Sequence, residues 1–278
     1  MKITVAIDSL KGSLTSMEAG NAAKDGILRV YPEAEVFVRP LADGGEGTVD
    51  ALTEGLGGRI RTISVSDPLG RPLQADYGIL TSPGQGEPLA VIEMAAASGL
   101  PLLAATERNP LRTTTYGVGE LILDAIRQGC RRFLIGIGGS ATNDGGCGMA
   151  AALGVRFTDR EGRVFVPTGG TLSNIAAVDT GGLLPQLSQV EITAICDIDN
   201  PLTGPQGAAA IFGPQKGADR QMVAQLDAGL KHLAEQVLHD LGTAGETAAG
   251  AGAAGGMGFG VAALLGGRLR MGIEVVLD

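Results

Sequence analysis

Apolar positions along this chain switch repeatedly between a period near two and a period near 3.6, which predicts strands alternating with helices and an α/β fold. Ile3 to Ile7 reads as a first strand, and Thr15 with Glu18 forms a capping-box signature for a helix reaching about Val30. Glu35 to Val38 is a short second strand. Arg61 to Val65 and Leu73 to Leu80 flank the turn Asp67, Pro68, Leu69, Gly70, a β-hairpin signal. Gly117 to Gln128 sets Val118, Leu121, Ile122 and Ala125 on one helical face, and Gly129 stops it. Phe133 to Ile137 reads as a buried strand, Met149 to Leu153 as a helix and Val190 to Ile195 as another strand. The clearest helix is Gln221 to Leu241, with a stripe of Met222, Leu226, Leu230, Leu233, Val237 and Leu241. His232 and His239 fall off that stripe and are expected to face solvent. Ala244 to Gly260, rich in glycine and alanine, reads as a loop leading into a packed helix at Ala262 to Leu265. Ile273 to Leu277 is strand-like.

Composition narrows the classes. At 278 residues, 44% hydrophobic and 18% charged, the chain supports one large or two ordinary domains with a real core. A net charge of -9 and an aromatic share of 3% with no Trp argue against nucleic-acid binding. No apolar run approaches a membrane span, and the N-terminal MKITVAIDS reads as a strand rather than a signal peptide. Three scattered cysteines, no CxxC pair and two histidines argue against zinc and fit reduced thiols in a cytoplasm. Cys147 reads as a small packing residue rather than a nucleophile.

Candidate chemistry gathers at glycine-rich turns. Between the strand ending at Ile137 and the helix at Met149 runs GIGGSATNDGGCG, whose amides and following helix suit a phosphate. Asp144 inside it would repel phosphate unless Mg²⁺ lies between them, so the loop suggests a metal-bound nucleotide. The alternative is that the glycines only let a strand and a helix pack closely. Asp8 and Lys11 follow the first strand, where ligands gather in open α/β sheets. Asp43 and Glu46 sit among the glycines of ADGGEGT, suited to metal or to substrate hydroxyls. Asp197 ends another strand, as a metal ligand or general base, and Lys216 could meet developing phosphate charge. Gly136, Gly138 and Ala141 also fit a dinucleotide fingerprint, with Asp159 near the spacing of a ribose partner. A dehydrogenase is therefore a single-motif alternative, weakened because the glycine run continues through Gly148.

Several segments together resemble the type 1 glycerate kinases: DSLKGSLT at 8–15, PLADGGEGT at 40–48, RTTTYGVGELI at 112–122, GIGGSATNDGGCGMAAALG at 136–154, CDIDNPLTGPQGA at 196–208 and FGPQKGA at 212–218. GAGAAGGMGFG at 250–260 also looks like the family, and the match is collinear over nearly the whole chain. The resemblance implies transfer of the ATP γ-phosphate to D-glycerate with Mg²⁺, in bacterial members usually at the 2-hydroxyl. It implies a flavodoxin-like α/β domain interrupted by a second α/β domain. Residues 1–62 would begin the first, and 63–278 would hold the inserted domain and the start of the return.

On that reading Gly138, Gly139, Ser140, Asn143, Gly145 and Gly146 cradle nucleotide phosphate, with Asp144 and Asp43 near Mg²⁺. Asp197 is the expected proton acceptor and Asp8 the second choice; Lys11 and Lys216 stabilise charge. Arg112 would hold the glycerate carboxylate, beside Asp43 and Glu46 as substrate contacts. Small-molecule substrates are the expected partners, with neither nucleic acid nor membrane; homo-oligomer formation is left open. Family members continue beyond the position of Asp278, so the first domain's sheet is expected to be incomplete here. A non-catalytic nucleotide-binding remnant is accordingly the runner-up.

Overall fold

The computed structural model describes residues 1–8, 10, 13–41, 47–81 and 86–272. In chain order these form β1 (Lys2–Ile7), α1 (Ser16–Val30), β2 (Glu35–Pro40), α2 (Thr48–Leu56), β3 (Arg59–Ser66), β4 (Pro72–Leu80), β5 (Leu89–Glu93) and the short α3 (Ala95–Ser98). There follow α4 (Tyr116–Arg127), β6 (Arg132–Gly136), α5 (Cys147–Ala152), β7 (Arg156–Thr158), β8 (Val164–Phe165), β9 (Ala177–Asp179) and β10 (Glu191–Ile195). The chain then builds α6 (Ala208–Phe212), α7 (Arg220–Leu241), α8 (Ala253–Leu265) and β11 (Arg268–Arg270). The fold is mixed α/β, as the periodicity predicts.

The local signals explain the elements they mark. Thr15 accepts from the Glu18 N–H and Glu18 accepts from the Thr15 N–H, closing the capping box at the start of α1. In the β3–β4 turn, Asp67 Oδ1 accepts from the N–H groups of Leu69 and Arg71, fixing the hairpin register Arg59–Ser66 against Ile79–Pro72. The α7 stripe is buried at Leu226, Leu230, Leu233 and Val237. His239 is exposed, but His232 is half-buried, its Nε2 paired with the Ile175 carbonyl at 2.7 Å. The glycine-alanine segment turns left-handed at Ala254, Gly255 and Gly256 before α8 proper, and α8 is buried almost throughout. The strand-like stretch from Ile273 lies outside the described residues.

Among the described residues, β1 and β2 pair in parallel with each other alone. The main sheet has the order β11, β10, β6, β5, β4, β3; its first four strands are mutually parallel, and β4 and β3 complete an antiparallel edge. A small antiparallel sheet, β8, β7, β9, packs against α7. Residue 62, the expected division, falls inside β3; the pairing of Arg59 with Ile79 moves the change of sheet to the turn after α2. The largest core lies between the six-stranded sheet and α4, α5 and α8, and includes Tyr77, Ile92, Leu121, Phe133, Ile135 and Met149. A second core joins α5, α7 and α8 to the small sheet. Among the described residues, no helix is long and apolar enough to cross a membrane.

Candidate active site

The parallel strands of the main sheet end at one edge, and their register sets one row there: Glu93 opposite Gly136, Gly136 opposite Ile195, Ile195 opposite Arg270. In open α/β sheets ligands bind at this carboxyl edge. Two residues past the row on β6 and β10 stand Gly138 and Asp197, so the sheet brings these two candidates together. Both are exposed. The N–H groups of Gly138 and Gly139 donate to no described residue, leaving an open amide pair at the edge. Asp197 Oδ1 accepts from the Gly272 N–H at 2.8 Å, which aims the carboxylate while the second oxygen has no partner among the described residues.

The rest of the glycine loop is closed. Asp144 is fully buried: Oδ2 accepts from the Thr115 N–H and hydroxyl and the Gly148 N–H, and Oδ1 accepts from the Gly146 N–H. Burial pushes this carboxyl up, and the four donors pull it down. With both oxygens engaged inside the protein, Asp144 does not fit the Mg²⁺ role expected of it. The start of α5 is also occupied, since Met149 N–H donates to Thr115 Oγ1 and Gly148 N–H to Asp144. Gly145 and Gly146 are equally unsuited to a phosphate. A side chain at Gly145 would lie 2.3 Å from a Leu233 methyl, and one at Gly146 would lie 3.0 Å from the Gly260 backbone. These two glycines admit the helices α7 and α8 rather than the strand-on-helix contact that the sequence left open as an alternative.

Two groups brace the loop from opposite sides. Thr113 Oγ1 donates to the Ala141 carbonyl, and Arg112, next along the chain, is exposed with no ion pair among the described residues. From the other side the Pro214–Lys216 turn sends Lys216 inward, where Nζ donates to Ser140 Oγ at 2.8 Å and the Thr142 carbonyl at 2.7 Å. Lys216 is buried, and burial lowers its ammonium to about 7 against the opposing pull of Asp144. Ser140 is thus committed to Lys216. Asn143 is different: its amide oxygen and nitrogen are both buried without a partner among the described residues, polar capacity that awaits a water or a ligand.

Asp8 follows β1 in the two-stranded sheet and is half-buried; Lys11, Asp43 and Glu46 lie outside the described residues. Two residues escaped the sequence reading. Arg108 is half-buried beside the Lys216 turn, with Nε unpartnered among the described residues. Glu93 ends β5 and accepts from the Val49 N–H at 2.8 Å. It obeys the strand-end rule that singled out Asp8 and Asp197, and was missed because β5 itself was not recognised. Among the described residues no cluster of three or more His, Cys, Asp or Glu could hold a metal. Cys147 is buried and its thiol is raised well above the ordinary value by burial, consistent with packing. Asp159 is spent in its own turn on the Glu161 and Arg163 N–H groups and the Arg163 guanidinium. A helix does not begin until Cys147, so neither feature serves a dinucleotide turn.

Comparison with known proteins agrees with this architecture along its length. The chain is 49% identical over 278 residues to a glycerate kinase of Bacillus subtilis, covering all of this chain and 72% of that protein. It is 47% identical over 276 residues to glycerate 2-kinase of Escherichia coli, covering 99% of this chain and 71% of the relative. A crystal structure of a protein assigned as glycerate kinase 2 from Salmonella typhimurium superposes with a TM-score of 0.95 at 47% identity, over all of this chain and 73% of that one. The model of the glycerate kinase family matches residues 3–278, and the chain belongs to that family.

Proposed function

We propose that this enzyme transfers the γ-phosphoryl group of ATP to the 2-hydroxyl of D-glycerate, giving 2-phosphoglycerate and ADP. The observation that carries the reading is the open Gly138–Gly139 amide pair beside the exposed, aimed carboxylate of Asp197 at one sheet edge. The amides offer hydrogen bonds to phosphate oxygens. Asp197 accepts the hydroxyl proton as the glycerate oxygen bonds to the γ-phosphorus, and the bond from that phosphorus to the ADP oxygen breaks in line. Asp8 remains the second candidate base.

Arg112 is proposed to take the glycerate carboxylate, and Asn143 to turn its unpartnered amide toward a bound ligand. Lys216 supports the chemistry from behind, by holding Ser140 and Thr142. Lys11, Asp43 and Glu46 keep their proposed roles in charge stabilisation and substrate contact. Mg²⁺, entering with the nucleotide, would neutralise phosphate charge; Asp144 and the loop interior at Gly145 and Gly146 are left out of the binding surface. Three free, buried thiols favour a reducing cytoplasm. Two α/β parts, dividing at the turn between α2 and β3, complete the proposal.

The test is coupled ADP release by this 278-residue chain with Mg-ATP and D-glycerate, with the product identified by ³¹P NMR. Glycerate-dependent release yielding 2-phosphoglycerate is expected. Saturable nucleotide binding with no glycerate-dependent turnover would favour the non-catalytic reading, and a 3-phosphate product would overturn the regiochemistry.

A further inference from the structure

We propose that Arg108 and Lys216, with Thr142 and Asn143 beside them, form an internal subsite for a substrate oxyanion, a carboxylate or a phosphate, adjoining the Gly138–Gly139 rim. The inference rests on the proposed reading of the site and deepens it.

Among the described residues, five buried side-chain nitrogen and oxygen atoms have no partner, and four of them fall on Arg108, Thr142 and Asn143. These residues lie where three segments converge. Lys216 Nζ donates to the Thr142 carbonyl at 2.7 Å, which ties the Pro214–Lys216 turn to the glycine loop. Gly217 stands at φ +95°, and a side chain there would lie 2.4 Å from the Arg108 carbonyl, so the same turn packs on the 108–112 segment. That segment reaches the loop as well: a side chain at Gly169 would meet the Pro110 carbonyl at 2.3 Å and the Asn143 carbonyl at 3.1 Å. A buried donor or acceptor left unpaired costs free energy, so four in one place mark a position that a molecule from outside fills.

The charges say that this molecule is an anion. Lys216 is buried, yet its two acceptors, Ser140 Oγ and the Thr142 carbonyl, are uncharged, and its third N–H donates to no described residue. Arg108 makes no ion pair among the described residues, and its Nε is buried. The carboxylates next to these residues along the chain already serve other groups. Glu107 binds Arg71 and the Ala104 N–H, Asp219 accepts from the Met222 N–H, and Asp144 is held by Thr115, Gly146 and Gly148. Two cations therefore share one corner of the fold without a free counter-charge. Burial lowers the Lys216 ammonium to about 7, and an anion alongside would hold its charge. Arg108 is only half-buried and so connects this corner to solvent. A guanidinium, an ammonium, a hydroxyl and an amide together suit an oxyanion with a further oxygen beside it. Ser140 follows Gly139 directly, which sets the subsite against the open amide pair. A glycerate carboxylate there is shared with Arg112; a nucleotide phosphate there continues the line of amides.

The experiment measures Kd by titration calorimetry, with D-glycerate alone and with Mg-ATP alone, for the 278-residue chain, Arg108→Gln, Arg108→Lys and Thr142→Val. Arg108→Gln is expected to weaken at least one of the two ligands about tenfold, with an unchanged urea midpoint because no described residue loses a partner. Arg108→Lys keeps the charge but loses the planar fork, so binding is expected to return to within about threefold of wild type. Thr142→Val removes a hydroxyl that serves no described residue, and is expected to weaken the same ligand about threefold. An effect on D-glycerate identifies the oxyanion as its carboxylate, and an effect on Mg-ATP identifies a phosphate. Wild-type Kd for both ligands in Arg108→Gln, or in Thr142→Val should the Gln variant fail to fold, would overturn the subsite and leave ordered water as the partner of these groups. Binding is read without turnover, so a chain that binds but does not phosphorylate glycerate would overturn the functional reading and leave the subsite standing. A wild-type chain that binds neither ligand would overturn both.

Discussion

Every residue from Ala141 to Ala150 is buried, whereas no residue of β1 is, though both segments lie beside strand ends that carry acidic residues. Around Asp144 the polar groups are consumed internally by Thr115, Gly146 and Gly148, and the glycines serve close approach by α7 and α8. In the β1–α1–β2 unit the strands alternate exposed and half-buried positions along β1, and α1 buries only Ser16, Ala19 and Gly20. The difference separates a rigid centre, whose rim at Gly138 and Gly139 is exposed, from a thinly packed β1–α1–β2 unit that α2 joins to the main sheet.

The sharpest way to break this contrast is Asp144→Ala. Removing the carboxylate strands buried donors and the buried Lys216 ammonium, so a loss of about 3–5 kcal/mol is expected by urea denaturation. A change near zero would show that the glycine loop is not the rigid centre. Next comes Asp197→Asn, expected to lower kcat by about 100-fold or more. The denaturation midpoint should stay unchanged, because the amide oxygen still accepts from Gly272 N–H. Near-normal turnover would remove Asp197 from the base role and shift attention to Asp8.

Per unit of pH, a more gradual effect marks the glycine-loop region. The folded chain holds Lys216 at about 7 and the unfolded chain near 10.5, so between these values the unfolded chain binds more protons. Stability from this group therefore rises with pH through that window, by up to about 1.4 kcal/mol per unit. Lys216→Met should flatten the rise; an unaltered slope would place a charged lysine in the core throughout. The smallest effect tests the thin unit. Thr15→Ala should cost about 1 kcal/mol locally, seen as faster amide exchange in α1, with α4 and α7 unaffected. Equal acceleration in α7 would mean that the two regions unfold as one.

Short-range chemistry made much of the fold readable. The Thr15–Glu18 box, the Asp67 turn and the α7 stripe each depend on residues within one or two turns of one another, and each forms as the local pattern predicts. The site was partly readable for the same reason: Asp197 and Gly138 follow apolar strands directly, and the strand-end rule finds both. Glu93 follows the same rule, but the short apolar run before it, Leu89 to Ile92, gives no period to distinguish strand from helix.

By itself, the sequence determined the α/β class, the family motifs and the residues that could carry phosphoryl chemistry, because periodicity and motif spacing are properties of neighbouring positions. Only the tertiary structure decided which of those residues are buried and which stand exposed at the sheet edge. Asp144 and Asp197 are both acids near strand ends, yet one faces Thr115 and the start of α5 while the other faces the open edge. That choice depends on helices packed 88 and 114 residues further along the chain, as Leu233 and Gly260 pack against Gly145 and Gly146. Burial is a property of the assembled core, so no local pattern distinguishes a carboxylate that holds the protein together from one left free for chemistry.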